Sequence, residues 1–176
     1  CALSDLWQVS CKTNWVLYAA QPKNKKAINE GIRITQTVDL SKFFDLFDDF
    51  CRKRKSIIPL NRISVFKQIL IESLKQNNGY YLQADINDGE IAGGAFFLRD
   101  ERNLYVFQSV VKEEFKASGC VSYLMVEGLK YAHDQQLNFD FLGSMIPSVE
   151  TFNQSFGAIK IPYWVISRNR VPFKKI

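Results

Sequence analysis

The segment LYVFQSVVKEEFKASGCVSYLMVEGLKYAHDQQLNFDFL, from Leu104 to Leu142, has the pattern that decides the fold. Leu104–Val111 is rich in apolar and β-branched residues, which predicts a strand. Apolar residues then recur at helical spacing from about Ser118 to Gln135, which predicts one long helix. Leu137–Leu142 is a short apolar run, typical of a buried strand. A strand, a long helix and a second strand in succession predict an α/β protein, in which strands and helices share one core.

Three predicted strands follow one another directly before that helix. Tyr80–Ile86 and Glu90–Leu98 flank Asn87-Asp-Gly89, a sequence typical of a tight hairpin turn. Leu104–Val111 follows a polar turn and completes a three-strand meander. Gly93-Gly94, inside the second strand, predicts a bulge or the close approach of another backbone.

Amphipathic helices are predicted on either side of the meander. Asp39 is a good N-cap, and apolar residues continue from it at helical spacing to about residue 54. A second apolar stripe with this spacing lies between Ile63 and Leu74. The remaining predicted elements are a strand at Gly31–Thr37, a helix from Pro147 to Gly157 and a strand at Ile161–Ser167.

The composition excludes several classes of protein. The chain has 176 residues, of which 47% are hydrophobic and 23% charged, so it is large enough for one packed domain. No apolar run approaches the roughly 20 residues that a membrane span needs. The net charge of +5 is a mild basic excess, typical of a soluble protein. We expect a cytoplasmic protein and, because the chain begins with Cys1, the C-terminal piece of a longer one.

Few residues in this sequence favour metal binding or a Ser-His-Asp triad. Cys1, Cys11, Cys51 and Cys120 form no Cys-x-x-Cys pair, and His133 is the only histidine. A zinc site would need most of these scattered side chains to converge. We therefore expect no metal, and we expect the cysteines to be reduced thiols of the core.

The order of the predicted elements resembles the fold of the GCN5-related N-acetyltransferases (GNAT) over about residues 31–168. The resemblance implies a mixed, mostly antiparallel sheet flanked by helices, with splayed parallel strands at the centre. In that family the acyl donor lies in the splay, and its pyrophosphate lies at the N-terminus of the long helix. Free backbone N–H groups and the helix dipole favour an anion there.

The entry to the long helix carries the first motif of this resemblance. Lys116-Ala-Ser-Gly119-Cys-Val121 is similar to the Gln/Arg-x-x-Gly-x-Gly/Ala pyrophosphate motif, with Val121 in place of the last small residue. The resemblance implies that acetyl-CoA or another acyl-CoA is the donor. The residues expected to hold its acyl carbonyl through the backbone are Ser109, Val110 and Val111, and those expected to hold phosphate are Lys116, Ser118 and Gly119.

The end of the domain carries a second motif. Asp140-Phe-Leu-Gly143-Ser, followed by Val149–Ala158, resembles the strand, loop and helix that close the family's fold. Many members have a tyrosine four residues before the last glycine, where it protonates the leaving thiolate, and this chain has Asn153 there. An amide is not a general acid, but it can orient an acceptor or a carbonyl, or it can bridge backbone locally.

Several titratable residues are candidates for proton transfer. Glu113, Asp140 and Glu150 are candidate bases, and Asp140 is the strongest because it lies inside an otherwise apolar strand. Tyr123 and Tyr163 are candidate acids through their phenols, or packing residues. The catalytic set we predict is Asp140, Asn153 and Tyr163.

A third motif lies near the N-terminus, where Trp15–Tyr18 predicts a short strand and Pro22–Gly31 a basic helix. Lys23-Asn-Lys-Lys-Ala27, followed by Gly31, resembles the Arg-Asn, Arg, Ala and Gly helix of the Fem-type aminoacyltransferases, with lysine for arginine. In those proteins this helix joins two tandem GNAT-like domains. The resemblance implies that residues 1–30 are the tail or linker of a preceding GNAT-like domain and that residues 31–176 are the acyltransferase domain.

Three functions remain open from the sequence. The first is transfer of an acetyl, acyl or aminoacyl group to an amine acceptor, which is a small molecule or a cell-wall or polysaccharide precursor. The second is a non-catalytic GNAT-like domain that binds a ligand or completes a two-domain protein. The third is transfer from aminoacyl-tRNA, where the basic excess would contact the RNA backbone.

Overall fold

Within the residues that the computed structural model describes (2–9, 22–53, 60–86, 89–143 and 146–165), seven strands form one sheet in the order β2-β3-β4-β5-β6-β1-β7. The strands are β1 (Ala2–Val9), β2 (Ile32–Gln36), β3 (Gly79–Ile86), β4 (Glu90–Arg99), β5 (Asn103–Val111), β6 (Asn138–Asp140) and β7 (Ile159–Val165). The helices are α1 (Pro22–Asn29), α2 (Ser41–Lys53), α3 (Leu60–Lys75), α4 (Cys120–Asp134) and α5 (Pro147–Gln154), with a 3-10 helix at Glu113–Ser118.

The sheet is mixed and mostly antiparallel, which confirms the predicted fold class. Strands β2 to β5 form an antiparallel run, and β5 pairs with β6 in parallel. The register between β3 and β4 shifts after Ala84, next to Gly93, which confirms the predicted bulge. The predicted strand at Trp15–Tyr18 lies outside the described residues.

Strand β1 is an element that the sequence did not predict. It lies between β6 and β7 and is antiparallel to both, so the first strand of the chain is next to last in the sheet. Its sequence, ALSDLWQV, has no strict alternation of apolar and polar residues. The strand is therefore stabilised by two long-range partners rather than by a local pattern.

Helices cover both faces of the sheet, so neighbouring residues of one strand are both buried. Phe97 packs in a core cluster with Leu124, Met125 and Phe139 under α4, whereas Phe96 packs with residues of α2 and α3 on the other face. Side chains alternate between faces along a strand, and both phenylalanines are fully buried because each face is covered. A Cβ on Gly128 would lie 2.7 Å from the Phe97 ring, so glycine lets α4 approach the sheet closely.

Candidate functional site

A cleft opens where β5 and β6 separate. The two strands pair at only three positions, and the last pair is Tyr105 with Asp140. Just after Tyr105, β5 has one residue more than β4. Val106 is opposite Phe97 and Gln108 is opposite Phe96, so Phe107 between them has no opposite residue. Such a bulge bends a strand and increases its twist. Strand β5 then continues to Val111 with no partner on its β6 side among the described strands.

Backbone groups on this open edge of β5 point into the cleft. The N–H of Lys112 donates to the carbonyl of Ala92 at 2.9 Å, and hydrogen-bonded pairs alternate with non-hydrogen-bonded pairs along an antiparallel ladder. Val111 and Ser109 fall in the non-hydrogen-bonded pairs, so their N–H groups are directed away from β4. The backbone groups of Val110 pair with β4 instead.

Asp140 lies at the point where the cleft begins. Its side chain is only 1% exposed, and its carboxylate accepts the backbone N–H of Leu142 at 2.8 Å. Leu142 has a positive φ of 54°, so this hydrogen bond stabilises a tight turn that ends β6. Asp140 is therefore a buried carboxylate adjacent to the open edge of β5.

Asn153 is buried in α5, the helix that follows β6. Its residue is 2% exposed, and its Nδ2 atom has no hydrogen-bond partner among the described residues. A buried donor without a partner costs roughly 1–3 kcal/mol. Such atoms are rare in folded proteins and require an explanation.

The predicted phosphate-binding residues at the start of α4 have protein partners. The Lys116 ammonium forms an ion pair with Glu113. The Ser118 hydroxyl donates to the carbonyl of Phe115 at 2.6 Å and accepts the N–H of Cys120 at 3.1 Å. A phosphate at this position must therefore compete with Glu113 for Lys116.

Gly119 packs against α1. It has a left-handed backbone with φ 87°, and a Cβ atom there would overlap the carbonyl oxygen of Lys23. The Lys26 ammonium donates to the carbonyl of Ala117 at 2.8 Å, next to this contact. The glycine is thus required by the packing of the predicted basic helix on the start of α4.

The other predicted acids and bases lie in different surroundings. Tyr163 is on β7, three strand positions from β5, or about 14 Å at the usual spacing of strands. Glu113 pairs with Lys116, and Glu150 lies 3.3 Å from the Lys160 ammonium. Burial raises the pKa of Tyr123, so its phenol stays protonated at neutral pH. The structure thus brings Asp140 to the open edge of β5 and places the strand of Tyr163 further away.

The two cysteines in the described part of the chain are core thiols, as predicted. Cys51 and Cys120 are both free and buried. Burial raises the pKa of Cys120 to about 12, so its thiol is not a nucleophile at neutral pH. Cys1 and Cys11 lie outside the described residues.

A cavity of about 430 Å³ lies between α2 and the end of β5. Sequence reasoning missed it because its lining comes from three separate segments. Its lining includes Leu46, Phe50, Val110 and Val111, together with four lysines and four carboxylates. The cavity shares Val110 and Val111 with the predicted acyl site, so the two spaces adjoin.

Comparison with known proteins gives a family and a fold. Residues 25–148 match the acetyltransferase (GNAT) domain. No curated protein matches the chain significantly. Among the described residues, no helix is long and apolar enough to cross a membrane.

Solved structures with the same fold include single and double domains. FemX matches with a TM-score of 0.72 and 11% identity, over 89% of this chain and 59% of the FemX chain. A tandem GNAT protein from the clavulanic acid biosynthesis pathway matches with a TM-score of 0.61 and 12% identity, over 92% of this chain and 50% of its own. AAC(6')-Iy, in complex with the bisubstrate analogue CoA-S-monomethyl-acetylneamine, matches with a TM-score of 0.58 and 13% identity. This match covers 80% of this chain and 99% of the AAC(6')-Iy chain. At these identities the likeness shows the fold alone. The chain spans about three fifths of the length of FemX.

Proposed function

This chain belongs to the acetyltransferase (GNAT) domain family, and we propose that it transfers an acyl group from an acyl-CoA to an amine acceptor in the cleft between β5 and β6. One observation carries the proposal. Strands β5 and β6 stop pairing at Tyr105 and Asp140, yet β5 continues to Val111 with an open edge. An extended ligand can bind such an edge through backbone hydrogen bonds.

The cleft residues fit an acyl carrier at its reactive end. An acyl-CoA supplies an activated thioester. The N–H groups of Ser109 and Val111 point to the cleft about 7 Å apart, so one of them would hold the acyl carbonyl oxygen and the other a second carbonyl of the carrier. Asn153 Nδ2 is a buried donor without a partner in the described part of the chain, and a ligand that reaches α5 would satisfy it. Lys116 would bind a phosphate of the donor once its ion pair with Glu113 is broken, and Ser118 and Gly119 lie next to it in the chain.

The reaction forms one bond, breaks one bond and moves two protons. The acceptor nitrogen forms a bond to the acyl carbon, and the bond between that carbon and the sulfur of the carrier breaks. The nitrogen releases its proton to solvent, because Asp140, the predicted base, lies opposite Tyr105, roughly 10–13 Å along β5 from Ser109. The leaving sulfur takes up a proton from solvent. Asn153 orients the carbonyl or the acceptor through its amide. Tyr163 stays a predicted acid, on a strand further from the cleft.

A second candidate is a non-catalytic domain that forms half of a two-domain protein. The packing of Lys23 on Gly119 and the ion pair between Lys116 and Glu113 favour it, because both occupy groups expected to hold phosphate. The chain also spans only 59% of the FemX chain. We propose for this case that residues 1–30 are the remainder of, or a linker to, a preceding domain.

A thermal titration separates these functions. Acetyl-CoA at about 100 times its Kd should stabilise the folded protein by about 2.7 kcal/mol. For a domain of this size that raises Tm by about 5–10 °C. No rise at millimolar acetyl-CoA would overturn the acyl-CoA donor. Binding of aminoacyl-tRNA that falls steeply with salt would then favour the tRNA donor, and no binding of either would favour the non-catalytic domain.

The variant Asn153→Leu tests the role of that amide. Leucine has a similar volume and no donor, so Tm should stay the same or rise. If Asn153 Nδ2 binds the reacting carbonyl, kcat should fall by roughly 10²-fold. An unchanged kcat together with a lower Tm would show that Asn153 is a local structural residue. Asn153→Gln, which keeps a donor, should recover part of the activity.

A further inference from the structure

We propose that Gln108 positions the attacking nucleophile, with its side-chain oxygen accepting a hydrogen bond from the N–H of the nitrogen that attacks the acyl carbon. The inference deepens the proposed function and rests on it. Gln108 lies on β5, one residue before Ser109, and none of the functional motifs of the sequence includes it.

The acyl end of the carrier would lie beside Ser109. Phosphate is proposed at Lys116 and at the start of α4, and both follow the Val111 end of β5. A carrier extended along the open edge therefore has its thioester further back on the strand, at the N–H of Ser109 rather than at that of Val111. The residue next to Ser109 is thus adjacent to the reacting carbonyl.

Gln108 projects from the face of the sheet that α2 and α3 cover. It is opposite Phe96 in the ladder with β4, and directly opposite side chains of two antiparallel strands share a face. Phe96 belongs to the core cluster of α2 and α3. Gln108 itself is half-buried, so part of its side chain is open to a ligand.

The Gln108 side chain reaches from this face to the open edge of β5. Its Nε2 atom donates to the carbonyl of Ser109 at 3.0 Å. Ser109 is in a non-hydrogen-bonded pair with β4, so its carbonyl, like its N–H, is directed to the cleft. The amide of Gln108 is therefore held beside the position proposed for the reacting carbonyl.

The anchored amide has an unused acceptor. A backbone carbonyl only accepts hydrogen bonds, so the contact with Ser109 determines which end of the Gln108 amide is nitrogen. The Oε1 atom at the other end has no partner in the described part of the chain. An acceptor held in this place complements a ligand that donates a hydrogen bond, and an attacking amine carries N–H groups.

Such an acceptor suits a step in which no base lies close to the nitrogen. As the bond from nitrogen to the acyl carbon forms and the carbon–sulfur bond breaks, the nitrogen gains positive charge and its N–H becomes a stronger donor. Gln108 Oε1 would hold that N–H in the direction of attack without taking the proton, because a neutral amide is not a base. The proton passes to solvent, and the leaving sulfur takes up a proton from solvent.

Transfer of the acetyl group from acetyl-CoA to two probe nucleophiles tests this role. Hydrazine attacks through a nitrogen that carries N–H, whereas the thiolate of 2-mercaptoethanesulfonate has no hydrogen to donate. In Gln108→Leu, transfer to hydrazine should slow roughly five- to tenfold, the effect of one hydrogen bond, and transfer to the thiolate should change by less than about twofold. Mass spectrometry of the two acetylated products measures both rates.

Two further variants accompany this measurement. Gln108→Met keeps the length of the side chain without its amide and should give the same pattern. Gln36→Leu makes the same substitution on β2, at the opposite edge of the sheet from the cleft, and should alter neither rate.

Three results would overturn the assignment. Equal slowing of both transfers would show that the side chain only supports the edge of β5, and unchanged transfer to hydrazine would show that Oε1 does not hold the nucleophile. A wild-type protein whose Tm rises with acetyl-CoA but which accelerates neither transfer would overturn the proposed reaction together with the role of Gln108. Absence of any rise of Tm would overturn the acyl-CoA donor itself, so this failure of the proposed function is read separately from the ratio of the two rates.

Discussion

Two glycines of this chain adopt nearly the same left-handed backbone in different surroundings. Gly119 has φ 87° and Gly89 has φ 77°. A Cβ on Gly89 would meet open space, whereas a Cβ on Gly119 would overlap the Lys23 carbonyl oxygen. The pair therefore separates the cost of a left-handed backbone from the cost of a steric contact.

We expect Gly119→Ala to destabilise the protein much more than Gly89→Ala. Each substitution places a side chain on a left-handed backbone, which costs about 1–2 kcal/mol. The contact of Gly119 with α1 adds about 1–3 kcal/mol of overpacking. Urea unfolding of the two variants measures the difference. Equal losses would show that α1 does not pack closely on the start of α4.

The same glycine shows what a motif in a sequence leaves open. Gly119 was predicted to hold phosphate because it stands in Lys-x-x-Gly at a helix entry. The packing of Lys23 is a second reason for a glycine at this position, and it comes from a helix almost 100 residues earlier in the chain. No pattern around residue 119 contains that contact, because it depends on how two separate segments meet.

At the scale of elements, the turn between β4 and β5 sets the start of the cleft. The Asp100 carboxylate accepts the N–H groups of Arg102 and Asn103 at 2.7 Å each, and the hydroxyl of Tyr105 at 2.7 Å. Asn103 is the first residue of β5 to pair with β6, opposite Asn138. Asp100 thus stabilises the end of β5 that pairs with β6. Beyond Tyr105 the bulge marks the point where the remaining residues of β5 separate from β6.

We expect Asp100→Asn to destabilise the protein by about 1–2 kcal/mol at pH 7, because the amide cannot accept all three hydrogen bonds. The hydrogen bond from Tyr105 lowers the pKa of Asp100 below its usual 3.8, followed by those from Arg102 and Asn103. The folded-state pKa lies below the unfolded one. The carboxylate's contribution is therefore complete above the unfolded pKa and is lost as the pH falls through the folded pKa.

Urea unfolding at pH 7 and at pH 2–3 checks this expectation. The stability difference between the wild type and Asp100→Asn should shrink as the pH falls. Glu101→Gln, one residue away and exposed, is the control and should have no effect at either pH. A difference that stays constant with pH would show that the Asp100 charge does not stabilise the turn.

Most elements were predicted because their apolar residues have a clear period. Phe43 and Phe47 mark one face of α2, and both are fully buried. The β3–β4–β5 meander follows from period-two segments and a turn sequence. The separation of β5 from β6 was not predictable in this way, since it begins at one extra residue in β5. The ion pair of Lys112, which lines the cavity, was not predictable either, because its partner Glu90 lies on β4, 22 residues earlier in the chain.

At the scale of the whole molecule, β1 joins the two ends of the described chain. It pairs with β7 over seven positions, from Ala2 with Val165 to Gln8 with Ile159. It also pairs with β6 through Gln8 and Asp140. Without β1, β7 has no described neighbour in the sheet. Contacts between such distant parts of a chain form late and slowly, because a long loop must close first.

We expect removal of residues 1–9 to detach β7 while the β2–β5 part of the sheet stays folded. Hydrogen exchange followed by mass spectrometry should show lost protection at Ile159–Val165 and retained protection at Gly79–Ile86. A synthetic peptide of residues 1–10 should restore protection to β7, and a scrambled peptide should not. If β7 stays protected in the shortened chain, then β6 and β7 pair directly once β1 is absent. In that case β1 would be an added strand rather than the strand that holds β7 in the sheet.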